Sequence, residues 1–181
     1  MKVKKLVSSL LFVGLAGAAL SSHAEGWNLS QSLPRGASTF AITGGALDTN
    51  AANEDAIGIY GLEYSAGGGF MQGVNNHFRT HIQLNHSDES GVRATSLEFQ
   101  PRYTVPLGGG FSAGIGPTLA WVNAKTTGDD KNLFGYGVAS GVEYRTGPYM
   151  GGVDLRYLNT TRRDDVKLEG WVLALKLGLN F

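Results

Sequence analysis

Charged and histidine side chains recur at every second position in the middle of the chain, and they are of the types that carry acid–base chemistry. His77, Arg79 and His81 follow this spacing in one stretch, and Glu98 and Arg102 belong to the next. A carboxylate beside a histidine can act in general acid–base catalysis, and the same groups can bind a metal ion. Side chains two residues apart share one face of a β-strand. The elements that carry these residues therefore decide which chemistry is open to them.

The spacing of the histidines argues against a shared metal ion. His77 and His81 are four residues apart, which is roughly 13 Å along a strand. That separation is too large for both imidazoles to coordinate one ion without long partners. We therefore expect no metal site, and no motif in the chain predicts a cofactor.

Composition places the chain among folded proteins of one-domain size. It has 181 residues, of which 42% are hydrophobic, a formal net charge of zero and no cysteine. A disordered chain would be less apolar, and a nucleic-acid-binding protein would be basic. The lack of cysteine argues against disulfides and against a lipoprotein anchor. Beyond residue 24 there is no run of eighteen apolar residues, so a transmembrane helix is not expected.

The first residues have the features of a secretory signal peptide. Lys2, Lys4 and Lys5 give a basic start, residues 6–20 form an apolar run, and Ser22-His23-Ala24 supplies the small residues of a cleavage site. The apolar run is too short to span a bilayer. We expect cleavage after Ala24 and export through the inner membrane.

The remainder of the chain predicts an all-β protein. Segments of alternating apolar and polar residues, each about ten residues long, recur between turn-forming residues, and no helical period of comparable length competes with them. Eight such segments can be counted, at approximately 37–47, 56–65, 76–86, 94–105, 111–122, 133–145, 149–158 and 168–181.

The connections between these segments alternate in character. The first, third, fifth and seventh are polar and charged, at residues 48–55, 87–93, 123–132 and 159–167. The second, fourth and sixth are built from glycine and proline, as in Pro106-Leu-Gly-Gly-Gly110. Such alternation is typical of a barrel with loops at one end and tight turns at the other.

The two faces of each segment differ in a way that a soluble barrel does not explain. In the fifth segment Phe111, Ile115 and Trp121 share one face, while the other face carries only small residues such as Gly114 and Gly116. Large aromatics opposed only by glycines would pack a poor inner core. With the apolar face turned to lipid and the charged and small residues turned inward, the difficulty disappears.

The spacing of the aromatic residues fits a membrane. Phe111 and Trp121 are ten residues apart, as are Trp171 and Phe181, and this corresponds to about 25 Å for a strand tilted by about 40°. Two aromatic belts are predicted at that spacing. One contains Tyr64, Phe78, Tyr103, Phe111, Tyr144, Tyr149 and Phe181, and the other contains Trp121, Phe134, Tyr157 and Trp171.

Two strand prolines disturb this pattern. Pro101 and Pro117 each lack the N–H that a sheet ladder needs. A barrel tolerates such residues at bulges or strand ends, so we expect local irregularities at both.

The inward face collects ionisable residues, which we call the lumen cluster. Four acids and five bases nearly balance, so we expect an ion-paired plug in which long charged chains fill the space left by glycines. If the third and fourth strands form a hairpin, Arg79 and His81 fall opposite Gln100 and Glu98, to within one register step. The lumen cluster comprises Glu63, Arg79, His81, Glu98, Arg102, Glu143, Arg145, Asp154, Arg156 and Lys176.

As a whole the sequence resembles the small bacterial outer-membrane barrels of the OmpA/OmpX type. The likeness is carried by the leader through Ala24, the eight alternating segments and the strand from Trp171 to Phe181. It implies an eight-stranded antiparallel up-and-down transmembrane β-barrel in the bacterial outer membrane, with both termini in the periplasm. It also implies that Phe181 is part of the signal read by the barrel-assembly machinery. The expected divisions are a signal peptide (1–24), a periplasmic N-terminal segment (25–36) and the barrel (37–181).

The expected function is structural or surface-related: envelope integrity, adhesion or very limited permeation. Two alternatives remain, namely a lipid A-modifying outer-membrane enzyme and a barrel that binds a small apolar ligand. Deacylases among such barrels use a histidine and a serine two residues apart on one face. This chain departs from that pattern, because His77 is followed by Arg79 and His81 by Gln83. We therefore expect no enzymatic activity.

The expected partners follow from the same resemblance and from the charge of the chain. They are outer-membrane lipid and lipopolysaccharide, together with the barrel-assembly machinery, and the barrel is expected to be a monomer that binds no nucleic acid. The acidic loop residues Asp88, Glu89, Asp129 and Asp130 could bridge to lipopolysaccharide through divalent cations, although a solvated loop is the simpler interpretation.

Overall fold

Alternation of large apolar and small or polar side chains gives eight antiparallel strands. The computed structural model describes residues 38–49, 56–67, 77–89, 92–126, 129–161 and 168–181. Within these ranges no helix has the length and apolarity needed to cross a bilayer. The predicted signal peptide and N-terminal segment lie outside the described residues. The strands are β1 (Ser38–Thr49), β2 (Ile57–Gly67), β3 (Phe78–Glu89), β4 (Val92–Gly108), β5 (Phe111–Thr126), β6 (Asp129–Thr146), β7 (Tyr149–Thr160) and β8 (Glu169–Asn180).

The strands form a closed up-and-down barrel, which confirms the predicted fold class. Each strand pairs with the next along the chain, and β8 pairs with β1. Ser38 and Phe181 exchange two backbone hydrogen bonds at this seam, with N···O distances of 3.0 and 2.9 Å. Closure leaves no unpaired sheet edge among the eight described strands, as a β-structure in lipid requires.

The two ends of the barrel differ in their connections. At the end that we call the turn end, two-residue turns join β4 to β5 and β6 to β7, and Gly109 and Gly147 adopt positive φ angles of 58° and 53° there. Glycine occupies this left-handed region without steric cost. The opposite end, which we call the loop end, carries the β3–β4 and β5–β6 hairpins.

These hairpins extend further than predicted. The polar connections expected at 87–93 and 123–132 are in large part strand, because β3 and β4 pair up to Glu89 and Val92, and β5 and β6 pair up to Thr126 and Asp129. Opposite charges face each other across both hairpins and support the ladders.

The strands are strongly staggered around the barrel. A path that follows the register from strand to strand leaves β1 at Ser38 and returns to it at Asp48, ten residues further along. A stagger of this size tilts the strands by roughly 40° from the barrel axis. An eight-stranded barrel of this kind has an interior just wide enough for side chains to fill.

The prolines lie opposite each other in the middle of their strands, where the expected local irregularity is a gap in the ladder and not a bulge or a strand end. The β4–β5 register is the same on either side of them and places Pro101 opposite Pro117, with ladder pairs missing for residues 100–102. The register shift in this ladder falls between Pro106 and Gly108. Since the two residues that lack an N–H face each other, the missing donors are concentrated at one place in the ladder. Neither strand needs the extra residue of a bulge to accommodate its proline.

Large apolar side chains cover the outside of the barrel and polar side chains fill the inside. Leu175 and Leu177 are 63% and 66% exposed, whereas Lys176 between them is 1% exposed. The buried hydrophobic residues in the described part are mostly small ones such as Ala41, Ala139 and Ala174. This distribution is the reverse of that in a soluble protein.

Gly116 is required by a close approach of two strands. A Cβ atom at this position would lie 1.9 Å from the carbonyl oxygen of Pro101, whereas a Cβ on the outward-facing Gly44 would have nothing within 4 Å. We expect Gly116→Ala to lower the free energy of unfolding by about 2 kcal/mol or more and Gly44→Ala to leave it nearly unchanged. Urea unfolding in lipid vesicles, followed by tryptophan fluorescence, measures both. Equal effects of the two substitutions would contradict the proposed crowding.

Candidate functional site in the barrel lumen

Lys176 on β8 occupies the centre of the lumen. Its Nζ atom lies 3.1 and 3.2 Å from the two carboxylate oxygens of Glu63, 2.8 Å from Glu143 Oε1 and 3.2 Å from Asp154 Oδ1. The three acids come from β2, β6 and β7. One ammonium group therefore links four strands across the interior.

Arg102 on β4 forms a two-pronged pair with Asp154. Nη1 and Nη2 donate to Oδ1 and Oδ2, both at 2.8 Å, and the pair is almost fully buried. Bidentate pairs of this kind are the strongest and most directional ion pairs in proteins. Arg102 also donates to Gln100, two residues earlier on the same face.

Glycines on β5 and β6 make the space for this pair. Gly114 and Gly141 lie opposite each other in the β5–β6 ladder. A Cβ atom on Gly141 would lie 2.1 Å from Asp154 Oδ1 and 3.1 Å from Arg102 Nη1. Since no side chain fits between them, the size of the arginine requires the glycine.

His81 on β3 adds a further contact to the central acids. Its Nδ1 atom lies 2.9 Å from Glu63 Oε1 and 3.9 Å from Glu143 Oε1. Glu63, His81 and Glu143 are close enough to one another to hold a metal ion, a set that the sequence did not suggest. In this structure the Lys176 ammonium contacts both carboxylates and supplies the positive charge.

A second branch of the network surrounds Glu98 on β4. Arg156 Nη1 lies 2.6 Å from Glu98 Oε2, Gln100 donates to the same oxygen at 2.9 Å, and Asn85 donates to Oε1 at 2.8 Å. Gln83 joins the branches, because it donates to Glu63 and Asp154 and accepts from Arg156 at 2.5 Å. Buried charges are tolerated when they are paired and hydrogen-bonded in this way.

The remaining two bases lie towards the turn end. Arg79 donates to Ser65 Oγ at 3.2 Å and to Thr39 Oγ1 at 3.0 Å. Arg145 pairs with Glu143 and donates to Ser112 Oγ at 3.2 Å. These residues extend the polar interior to the end where the short turns lie.

An apolar cluster lies in the lumen towards the loop end. Ala120, Val122, Ala124 and Leu133 form this buried cluster, against which Leu158 and Leu168 pack. The interior therefore contains an ionic network and, towards the loop end, an apolar cluster beside small buried polar residues such as Ser87 and Ser96.

A small cleft lies in the ionic part of the lumen. It is lined by His81, Arg102, Glu143 and the small residues around them, and it is too narrow for a water molecule. A bound small molecule would therefore not fit in this cleft.

Comparison with known proteins identifies the architecture. No protein-family model and no curated protein matches the chain. Among solved structures it is similar to Neisserial surface protein A, with 15% identity and a TM-score of 0.55, over 80% of this chain and 95% of that one. It is also similar to the N-terminal β-barrel domain of Pseudomonas aeruginosa OprF, with 15% identity and a TM-score of 0.54, over 81% of this chain and all of that one. The chain has the fold of a small outer-membrane barrel.

The structure brings the predicted lumen cluster together. It also shows a β3–β4 register that is shifted from the predicted one, and contacts with residues that the sequence did not indicate as site residues. The observed β3–β4 register pairs His81 with Gln100 and Arg79 with Arg102, one step from the predicted one. Thr39 and Ser65 were missed as partners of Arg79. Short polar residues are common on β-strands, and no sequence signal separates those that contact an arginine from the rest.

The aromatic belts of the barrel are built from cross-strand pairs. Facing pairs include Phe111 with Tyr144 and Tyr157 with Trp171, whose ring centroids are 4.7 and 5.1 Å apart. The loop-end belt also contains Tyr60, whose ring meets His86 edge-on at 5.4 Å. The other predicted belt residues lie on the outward face, namely Tyr64, Phe78, Tyr103, Trp121, Phe134, Tyr149 and Phe181.

Asp154 provides a test of the central network. Asp154→Asn keeps the size of the side chain but leaves Arg102 and Lys176 short of negative charge in the interior. We expect it to lower the free energy of unfolding by about 3–5 kcal/mol. Asp88→Asn at the exposed Asp88–Arg93 pair is the matched control, with an expected effect below about 1 kcal/mol. Urea unfolding in vesicles measures both, and a loss at Asp154 as small as that at Asp88 would show that the central pairs do not hold the interior.

Proposed function

We propose that this chain is an integral outer-membrane protein with a structural or surface role and a closed interior. The single observation that carries the proposal is the reversed distribution of side chains, with a continuous apolar outside and an ion-paired inside. Backbone groups in lipid must be paired within the protein, and closed barrels satisfy that requirement. The turn end would face the periplasm, with the loop end outside the cell.

The proposed route to the membrane involves both termini. The signal peptide, cleaved after Ala24, would direct export, and β8 with Phe181 would be recognised by the barrel-assembly machinery. Phe181 lies at the seam where β8 meets β1 and packs near Tyr64, with ring centroids 6.5 Å apart. Recognition would take place before the seam closes, because the backbone donors and acceptors at this edge of β8 are available only until β8 pairs with β1. The assembled barrel is proposed to be a monomer.

A non-enzymatic role fits the state of the lumen histidine. His81 is hydrogen-bonded to Glu63, and Lys176 contacts the same carboxylate. In the described part of the chain, the Nδ1 atom of His81 is hydrogen-bonded to a carboxylate and not to a hydroxyl group that it could activate. General-base catalysis on a serine would require such a hydroxyl.

The membrane location is tested by charging the outer surface. Leu175→Arg puts a cation near the middle of the apolar band, and we expect it to reduce the stability of the vesicle-inserted barrel by about 2–4 kcal/mol. Ser38→Arg at the turn-end rim is the control, with an expected cost of about 0–1 kcal/mol. Reversible urea unfolding in vesicles reports both values. A mature chain that stays soluble and folded without detergent, with Leu175→Arg harmless, would contradict the membrane location.

The closed interior is tested by electrical recording. We infer that the ionic network and the apolar cluster around Leu133 together block the passage of water, so the barrel inserted in a planar bilayer should give no stable conductance at neutral pH. Flotation of the same preparation with lipid vesicles shows that insertion has occurred. Stable ion conductance from inserted protein would contradict the closed interior while leaving the membrane location intact.

A further inference from the structure

Four exposed charged residues form a row across the two hairpins at the loop end. In the observed register Asp88 faces Arg93, Arg93 faces Lys125, and Lys125 faces Asp130. Their side chains lie on the outward face of the strands, the same face as Trp121. We call this set the rim charge row.

The order of charges in the rim charge row leaves two cations side by side. Arg93 contacts Asp88 through Nη2 and Nε at 2.6 and 2.9 Å, and Lys125 Nζ lies 2.8 Å from Asp130 Oδ2. Each acid therefore lies on the side of its base that faces away from the other cation. Like charges directly opposite each other on neighbouring strands destabilise the pairing, so an anion placed between Arg93 and Lys125 would relieve a real repulsion.

Both cations have donors beyond those used in these contacts. A guanidinium group has five N–H donors and an ammonium group has three. The contacts with Asp88 and Asp130 involve two nitrogens of Arg93 and the single nitrogen of Lys125. A phosphate group can accept from arginine and lysine together, and arginine matches its geometry with two parallel bonds.

The height of the rim charge row identifies the source of the phosphate. Lys125 is four residues beyond Trp121 on β5, which is about 10 Å further from the membrane centre for a tilted strand. Trp121 belongs to the aromatic belt at the edge of the apolar band, so Lys125 lies at the level of lipid head groups. Since the row faces outward, its neighbour there is a membrane lipid.

We propose that Arg93 and Lys125 form a binding site for the phosphate groups of lipopolysaccharide. The site rests on the proposed outer-membrane location and gives the expected lipid partner specific residues. It differs from the alternative in which the loop acids bridge to lipopolysaccharide through divalent cations. Asp88 and Asp130 are three strands apart, about 14 Å, and each already contacts a base. The side chains of Glu89 and Asp129 lie outside the described part.

The test compares binding of lipopolysaccharide to the full mature barrel in zwitterionic micelles by isothermal titration calorimetry. Neutralising both cations with Arg93→Gln and Lys125→Gln should weaken binding by about tenfold to a hundredfold. Lipopolysaccharide stripped of its phosphates should bind the unsubstituted barrel as weakly as intact lipopolysaccharide binds the double variant. Inorganic phosphate at the same concentration should give no measurable heat.

Three controls separate this site from its alternatives. Lys131→Gln removes the same charge from an inward-facing position on β6 and should not change affinity. Asp88→Asn with Asp130→Asn should leave binding equal or tighter, with no loss on adding EDTA. Flotation with vesicles checks membrane insertion of every variant, so failure of the site is distinguished from failure of the membrane location.

Three results would overturn the proposal. The first is equal affinity of the unsubstituted barrel for intact and phosphate-stripped lipopolysaccharide. The second is a loss of binding caused by EDTA or by the two Asp→Asn changes, which would indicate a divalent cation bridge. The third is tight binding of inorganic phosphate, which would show that the site is not specific for the lipid.

Discussion

The ammonium group of Lys176, held among three carboxylates from three other strands, is the interaction around which the barrel interior is arranged. A buried cation must have partners, and those partners must come from opposite walls if the lumen is to be filled. Glu63, Glu143 and Asp154 meet this need, and each then takes a second base, namely His81, Arg145 or Arg102. Acids and bases therefore alternate across the lumen, and the contacts among them begin at Lys176 on β8.

The size of these side chains determines what the other strands can carry. Arg102 crosses the lumen to reach Asp154, and the walls beside it at Gly114 and Gly141 have no side chains. The interior is thus filled by long chains from some strands and by the bare backbone of others. Where the long polar chains end, towards the loop end, Leu133 and the small apolar residues of β5 continue the packing. The narrow interior of the barrel explains why both the ionic network and the apolar packing combine long side chains with small ones.

Sequence reasoning was able to predict the barrel because a period of two extends over every strand. Strand number, strand order, the two faces and the inward position of the lumen cluster all follow from that period. The lengths of the hairpins did not follow, because Asp88, Arg93, Lys125 and Asp130 have the composition of a loop. They continue the strands because opposite charges face each other across each hairpin, and pairing between strands is a property of two segments and not of one.

The prolines and the lumen contacts illustrate the same limit. Each proline alone predicts a defect in its own strand, and only the register shows that Pro101 and Pro117 share one defect. The partners of Arg102 are likewise set by a stagger of ten residues around the barrel, which brings β4 and β7 side chains together across the lumen. The alternation of residue types along a strand predicts which face of the sheet a side chain lies on. The stagger of the strands determines which other side chain it contacts.

The two sets of ion pairs differ in what they contribute to the molecule. A pair in the lumen loses its hydration and cannot lose one member without leaving a buried charge, so the interior is difficult to change. A pair at the rim remains hydrated and contributes little to folding. Arg93 and Lys125 can therefore be arranged for binding at little cost to the barrel. Their direct apposition, which folding alone would disfavour, is tolerated because the repulsion between two hydrated charges is small. The charges inside the barrel are therefore constrained by folding, whereas the charges at its rim can be substituted without loss of the fold.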